Sequence, residues 1–234
     1  MNRITEVFGR RPVVLAVVHP VGRAEALASL ATVAAAGAPG AFLINQGMNE
    51  VDVLGLIREA RGQFPKLWLG VNLLGHRPAD ALATALDACD GIDGIWSDDA
   101  GIDEHATAQP RADELVMARR ARGWTGLYFG GVAFKYQREV AFADLARSAE
   151  LAARSMDVVC TSGPGTGRAA DLDKVRALRA GLGDAALALA SGVTADNVRS
   201  YIPYVDAFLV GTGIEAEFGV IDATKLTALL RASA

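Results

Sequence analysis

The sequence predicts a closed (β/α)8 barrel, in which eight parallel strands alternate with eight helices. Three observations lead to this fold class. Short apolar runs recur eight times, most of them are apolar on both faces, and each is followed by a segment with helical periodicity. Strands buried on both faces are typical of parallel sheets, and strict alternation requires helical crossovers. The 234 residues are also close to the length typical of this barrel.

The apolar runs define the eight predicted strands. Most are rich in Val, Ile, Leu and Ala, and a run of four to eight such residues is the length of a buried strand. In chain order they cover residues 13–18, 41–44, 67–74, 94–96, 126–134, 157–161, 186–190 and 206–210.

The segments between these runs predict the helices. Glycine directly follows several of them, as at Gly37, Gly62 and Gly123, and Pro78 occupies a first turn, where proline fits. The alternative is an open doubly wound sheet, for which eight regular units without a topological break would be unusual. No linker or shift in composition divides the chain, so residues 1–234 are expected to form one domain. The predicted helices cover residues 25–36, 50–61, 78–88, 110–122, 139–154, 171–180, 195–201 and 222–232.

Composition excludes several classes of protein. A chain that is 51% hydrophobic and 21% charged is not intrinsically disordered. The net charge of −4 and the lack of a basic tract argue against nucleic-acid binding. Apolar runs are too short for a membrane span or a signal peptide. Cys89 and Cys160 fit buried free thiols in a reducing compartment, so a cytoplasmic protein is expected.

Small residues concentrate after the last three predicted strands. Active sites of such barrels lie at the carboxyl ends of the strands, and a phosphate site recurs after strands seven and eight beside a short extra helix. Glycine lets backbone N–H groups approach an anion, and Ser or Thr adds a hydroxyl donor. Residues 214–218 are the expected short helix; the alternative is that the glycines only turn the loops. The predicted phosphate ligands are Ser162, Gly163, Thr166, Gly167, Ser191, Gly192, Gly211, Thr212 and Gly213.

Five polar residues at the ends of the other strands are the candidate catalytic groups: His19, Asn72, Asp98, Asp99 and Lys135. Each has a structural alternative: a loop hydrogen bond for His19, pairing with interior polar groups for Asn72, and solvent for the lysine. The two aspartates are adjacent, so they point in different directions and one of them is expected to face the mouth. A desolvated lysine can act as a base, a Schiff-base nucleophile or an anion clamp.

Cofactor motifs are weak. The three histidines show no metal-ligand spacing, and neither a Walker motif nor a dinucleotide fingerprint is present. Asp98, Asp99 and Glu215 could hold Mg²⁺ together with a substrate phosphate, but no pattern requires it. No cofactor is therefore expected.

Three segments resemble the BtpA/SgcQ family: DVVCTSGPGTG at 157–167, ASGVTADNV at 190–198 and DAFLVGTG at 206–213. The segments GVN at 70–72 and GIDGI at 91–95 are similar as well. The resemblance implies a TIM barrel related to the ribulose-phosphate-binding barrels, and a phosphate site. It does not define a reaction. Residues 19–22 and 131–137 depart from the family pattern, which indicates a divergent branch with another substrate.

The expected function is an enzyme that acts on a phosphorylated sugar or ribose-containing metabolite. Isomerisation, epimerisation or aldol cleavage needs proton transfer beside a carbonyl, which a carboxylate or lysine base with a polarising group can supply. Two alternatives stay open: a non-catalytic assembly or regulatory factor of BtpA type, and a transferase or hydrolase acting at a ribosyl carbon. The Ala-rich outer helices favour a homo-oligomer.

Overall fold

The computed structural model describes residues 2–234, in which eight parallel strands close into a barrel. Each strand pairs with the next in the chain, and the eighth pairs with the first. The predicted (β/α)8 fold is therefore confirmed. The strands are β1 (Val13–Val18), β2 (Gly40–Ile44), β3 (Trp68–Asn72), β4 (Gly94–Ser97), β5 (Leu127–Gly131), β6 (Val158–Ser162), β7 (Ala186–Ala190) and β8 (Ala207–Val210).

Eight α-helices accompany the strands. One of them, α1, precedes the barrel and was not predicted; the side chain of Asn2 caps it, and it inserts Ile4 into the barrel interior. The others follow strands, and the predicted bounds of α4 and α5 match the structure. The helices are α1 (Arg3–Phe8), α2 (Arg23–Ala35), α3 (Glu50–Gln63), α4 (Pro78–Ala88), α5 (Pro110–Arg122), α6 (Leu145–Ala152), α7 (Leu172–Leu182) and α8 (Ala223–Ala232).

Two predicted helices are shorter than expected. The segment 139–154 stays extended at first and becomes helical through a 3-10 turn, Phe142–Asp144, before α6. The segment 195–201 contains only a 3-10 turn, Val198–Ser200. The side chain of Asn197 there accepts from the N–H of Thr194 and donates to the carbonyl oxygen of Gly192, and Pro203 disfavours helical geometry at the residue before it.

The predicted short helix over residues 214–218 is wrong. This segment forms a hairpin of β9 (Glu215–Glu217) and β10 (Val220–Ile221). Gly219 lies in the left-handed region at the turn, with φ of 85°, and its N–H donates to the carboxylate of Glu215. Ser29 of α2 bonds the backbone of Gly219 and Ile221, which fixes the hairpin against the barrel wall.

A group of aromatic side chains fills part of the barrel interior. Phe42, Trp68 and Phe129 pack edge to face with ring centroids 5.1–6.2 Å apart. Glycine makes room for them, since a Cβ on Gly94 would lie 2.2 Å from the Trp68 ring. A second, mostly aliphatic part of the core lies between the strands and the helices. The barrel is therefore a packed core with its polar groups at the two ends.

Aspartates clamp the floor of the barrel, defined here as the amino-terminal ends of the strands. Asp206 directly precedes β8, and its carboxylate accepts from the N–H of Leu187 at 2.8 Å and from Arg179 at 2.9 Å. Asp157 before β6 repeats the arrangement with the N–H of Tyr128 and with Arg119. Asp93 before β4 pairs in the same way with the N–H of Leu69 and with Arg61.

Two further expectations concern the cysteines and membranes. Cys89 and Cys160 are both buried and free, as predicted. Within residues 2–234, no helix combines the length and the apolar character that a membrane crossing requires.

Candidate functional site

The mouth of the barrel, defined as the carboxyl ends of the strands, holds a linked pair of side chains from β3 and the end of β4. Asn72 is fully buried, and its Nδ2 donates to Oδ1 of the half-buried Asp98 at 3.0 Å. Asp99 turns the other way: it accepts from the N–H of Gly101 and lies 3.7 Å from Arg111. Asp98 is therefore the aspartate that faces the mouth, and Asp99 caps the loop towards α5.

The environment of Asp98 suits proton transfer. Burial raises the pKa of the Asp98 carboxyl, while the hydrogen bond from Asn72 and the charge of Lys135 act in the opposite direction. A carboxyl group with a raised pKa keeps its proton closer to neutral pH than an exposed one. Such a group can serve as a general acid or base.

Lys135 bonds the glycine-rich loop after β6. Its backbone N–H donates to Oγ of Ser162 at 2.8 Å, and its Nζ donates to Oγ1 of Thr166 at 3.1 Å. The hydroxyl of Tyr136 accepts from the N–H of Thr166. The lysine is thus held against the β6 loop, and only its charge acts on the Asp98 carboxyl.

The glycines after β6, β7 and β8 pack the three loops against one another. A Cβ on Gly192 would lie 2.2 Å from the carbonyl carbon of Arg168, and one on Gly213 would lie 2.0 Å from the carbonyl oxygen of Val193. Gly163 is equally close to the backbone of Arg168. These three glycines therefore have a packing role, which differs from both anion binding and the loop-turning role considered as its alternative.

The same loops also present free donors. Within residues 2–234, the N–H groups of Gly167, Gly192 and Gly213 have no backbone acceptor. Gly167 has φ of 72° and lies near the hydroxyl of Thr212, so the loops after β6 and β8 meet. Ser191 adopts a left-handed conformation, with φ of 66°. Convergent N–H and hydroxyl groups are what a bound anion requires.

His19, at the end of β1, forms a second buried pair. Its Nδ1 lies 2.7 Å from Oε1 of Glu215, and its ring stacks on Phe218 with centroids 5.0 Å apart. The ring lies against Gly211, where a Cβ would approach His19 Cε1 to 2.7 Å. When Nδ1–H donates to the carboxylate of Glu215, Nε2 of the neutral ring carries the lone pair. The hairpin thus orients the imidazole.

Several mouth residues were missed by sequence reasoning. Lys174 of α7 donates to the carbonyl oxygens of Ala133 and Ser162 and so ties the ends of β5 and β6, and burial lowers its pKa. Phe134 and Trp96 cover the top of the barrel interior. Nothing in the sequence distinguishes these residues from ordinary helix and core positions.

The three residues considered for Mg²⁺ do not form a ligand set. Asp98 bonds Asn72, Asp99 caps a loop, and Glu215 bonds His19. In the described chain, the carboxylate and histidine atoms that approach one another within 4.8 Å in a group of three belong to Glu104, His105 and Asp144. Glu104 is already paired with Arg138, so this group lacks the free negative charge of a cation site.

No family model and no curated protein matches the chain, so the BtpA/SgcQ resemblance stays a prediction. Solved structures do match. Phosphoribosyl anthranilate isomerase from Thermus thermophilus aligns with a TM-score of 0.64 at 14% identity, over 94% of this chain and 98% of that chain. The YdjI aldolase from Escherichia coli K12 aligns with a TM-score of 0.62 at 12% identity, over 100% and 94%.

A third structure is (S)-3-O-geranylgeranylglyceryl phosphate synthase from Thermoplasma acidophilum, in complex with its substrate sn-glycerol-1-phosphate. It aligns with a TM-score of 0.65 at 12% identity, over 99% of this chain and 96% of that chain. At these identities the likeness shows the fold alone. The chain thus shares its barrel with an isomerase, an aldolase and a synthase.

Proposed function

We propose that this chain is an enzyme that transfers a proton beside the carbonyl group of a phosphorylated sugar or ribose-containing metabolite, as an isomerase or a lyase. The observation that carries the proposal is the position of Asn72, Asp98 and Lys135 at three neighbouring strand ends, where Asn72 bonds Asp98 and Lys135 bonds Thr166 of the β6 loop. A barrel shared with an isomerase, an aldolase and a synthase supports the general kind of reaction.

The phosphate group would lie over the loops after β6, β7 and β8. Free N–H groups, hydroxyls and the positive charge of Lys135 surround that position. The proposed phosphate ligands are Ser162, Gly163, Thr166, Gly167, Ser191, Gly192, Gly211, Thr212 and Gly213.

The catalytic roles follow from position. Asp98 removes or returns the proton on the substrate carbon, because its raised pKa favours exchange near neutral pH. Lys135 polarises the carbonyl oxygen as a cation or forms a Schiff base with the carbonyl carbon. His19, oriented by Glu215, presents Nε2 as a second group for proton transfer.

Solvent exchange and chemical trapping test the proposal together. The protein is incubated in D₂O with pentose and hexose phosphates, and proton NMR follows deuterium entering the carbon beside the carbonyl. We expect Asp98→Asn to slow exchange about 10²–10⁴-fold, the usual worth of a general acid or base. If no sugar phosphate exchanges and none is trapped, the enzyme proposal is wrong; binding without turnover would favour a regulatory factor.

Borohydride distinguishes the two roles of Lys135. A Schiff base with a sugar phosphate is reduced to a stable adduct, which peptide mass spectrometry assigns to one lysine. We expect labelling of Lys135 in the lyase version, loss of the label in Lys135→Met, and no change in Lys66→Met, because Lys66 is exposed. Exchange without an adduct would assign the lysine to polarisation and the reaction to the isomerase class.

A further inference from the structure

Two buried polar atoms at the top of the barrel interior have no hydrogen-bond partner. They are Oδ1 of Asn72 and Nε1 of Trp96, in side chains that are 0% and 4% exposed. A buried donor or acceptor without a partner is unfavourable, because folding has removed its hydrogen bonds to water. One atom is an acceptor and the other a donor, so the pair offers both halves of a hydrogen-bonding site.

The two side chains lie on the inward face of the barrel. Asn72 and Trp96 are register partners on the neighbouring strands β3 and β4. Trp96 belongs to the interior cluster together with Trp68, and Asn72 follows Trp68 by four residues on β3, which places it on the same face of the strand. The hydrogen bond from Nδ2 of Asn72 to Asp98 fixes the amide, so Oδ1 is directed away from that carboxylate.

Phe134 covers this pair. Its ring packs edge to face on Trp96 with centroids 5.8 Å apart, and its side chain is 3% exposed. The loop that carries Phe134 is strained: the preceding Ala133 and the nearby Tyr136 both have positive φ, 47° and 62°. Positive φ is unfavourable for residues other than glycine. Movement of this loop away from the mouth would uncover the Trp96 indole.

We propose that Trp96 Nε1 and Asn72 Oδ1 form a hydroxyl-binding subsite, which a ligand enters when Phe134 moves out of the mouth. A hydroxyl is the group that accepts from an indole N–H and donates to an amide oxygen at the same time. The subsite adjoins Asp98 and so lies beside the proposed reaction centre. The inference rests on the proposed function for the phosphate end of the ligand and identifies the other end as hydroxylated.

Indole resonances test the subsite directly. Protein labelled with ¹⁵N at its three tryptophans gives three indole N–H signals, and that of Trp96 is the one missing in Trp96→Phe. If this variant does not fold, Trp68→Phe and Trp124→Phe assign the signal by elimination. We expect pentose or hexose phosphates to move the Trp96 signal downfield, whereas inorganic phosphate leaves it in place.

Binding supplies the second measurement. Loss of one hydrogen bond should weaken a sugar phosphate about 3- to 10-fold in Trp96→Phe and leave inorganic phosphate unaffected. Trp124→Phe is the matched control, because Trp124 lies outside the barrel interior and donates to the carbonyl of Ile92. In that variant the affinity for the sugar phosphate should not change.

The outcomes separate this inference from the function on which it rests. If no sugar phosphate moves the Trp96 signal, the subsite proposal is wrong, and a resident water is then the partner of the two atoms. If inorganic phosphate still raises the Tm in that case, the proposed phosphate site stands without the subsite. If no phosphate compound binds, both proposals fail.

Discussion

Asp98 at the mouth of the barrel has fewer partners than the aspartates at the floor. At the floor, the carboxylates of Asp93, Asp157 and Asp206 each accept from a backbone N–H and from an arginine. At the mouth, Asp98 accepts from the amide of Asn72. Unpaired buried atoms occur at both ends, so the contrast lies in the carboxylates: the unpaired atoms are Nδ2 of Asn2 and Nε of Arg179 at the floor, and Oδ1 of Asn72 and Nε1 of Trp96 at the mouth.

This difference indicates that the floor serves the stability of the fold and that the mouth serves its function. Floor residues repeat one arrangement before β4, β6 and β8, as expected of groups that hold strand to strand and strand to helix. The unpaired atoms at the mouth are the basis of the proposed hydroxyl subsite, whereas the floor carboxylates are expected to contribute to stability. The location agrees with the rule that such barrels bind ligands at the carboxyl ends of their strands.

The largest expected effect is the loss of a floor carboxylate. Asp206→Ala removes the carboxylate partner of Arg179 and of the N–H of Leu187 in a region where the Asp206 side chain is 2% exposed. Removing one partner of a buried ion pair costs about 3–5 kcal/mol, or roughly 6–20 °C in Tm for a chain of this size. Urea unfolding measures the change.

The control for Asp206 is Asp184→Ala, because Asp184 is exposed. We expect that substitution to change the free energy of unfolding by less than about 0.5 kcal/mol. Equal stability losses in the two variants would show that the floor clamp contributes nothing, and the contrast between the two ends would fail.

A fully paired carboxylate at the mouth should behave like one at the floor. Arg138 holds the pKa of Glu104 down to about 2, and the hydroxyl of Ser148 donates to the same carboxylate. The unfolded value is about 4.3, so the native state releases this proton more readily and gains stability above that pH. Glu104→Gln should therefore cost about 2–3 kcal/mol at pH 7.

The difference between wild type and Glu104→Gln should shrink as the pH falls from about 5 towards 2, because Glu104 of the wild type is then protonated first in the unfolded state and next in the native state. Unfolding curves across this range measure it. Glu139→Gln in the same region is the control, since Glu139 is exposed. A loss that is constant with pH would assign the effect to packing.

Periodicity and length were sufficient to predict the barrel. Apolar runs without alternation located all eight strands, and proline and glycine marked the ends of α4 and α5 within a residue. The same reasoning found the strand-end residues, because the fold itself brings these positions to one mouth. Adjacency also predicted that Asp98 and Asp99 diverge, although not which of them turns inward.

Contacts between residues far apart in the chain could not be predicted from the sequence. The pairing of His19 with Glu215 spans 196 positions and depends on a hairpin that local pattern presented as a helix. Trp96 reads as an ordinary core residue, since only the three-dimensional packing reveals that its N–H lacks a partner. The loop glycines were attributed to an anion, whereas much of the requirement for them comes from other loops.

Asp98 has the smallest expected effect on stability. It tests the contrast between mouth and floor carboxylates, because its pH dependence should be opposite to that of Glu104. Burial raises the pKa of this carboxyl, so the native state binds the proton more tightly than the unfolded chain does. Its contribution to stability is complete below the unfolded pKa of about 3.9 and is lost as the pH rises through the folded pKa. Asp98→Asn has no such proton and still accepts from Asn72.

Unfolding of wild type and Asp98→Asn is therefore compared from pH 4 to pH 8. We expect the variant to gain stability relative to wild type as the pH rises, the reverse of the dependence at Glu104. A variant that becomes less stable than wild type towards pH 8 would show that the Asp98 carboxylate stabilises the fold, as the paired carboxylates of the floor do. The expected gain, together with slower proton exchange in the same variant, would show that this position favours chemistry over stability.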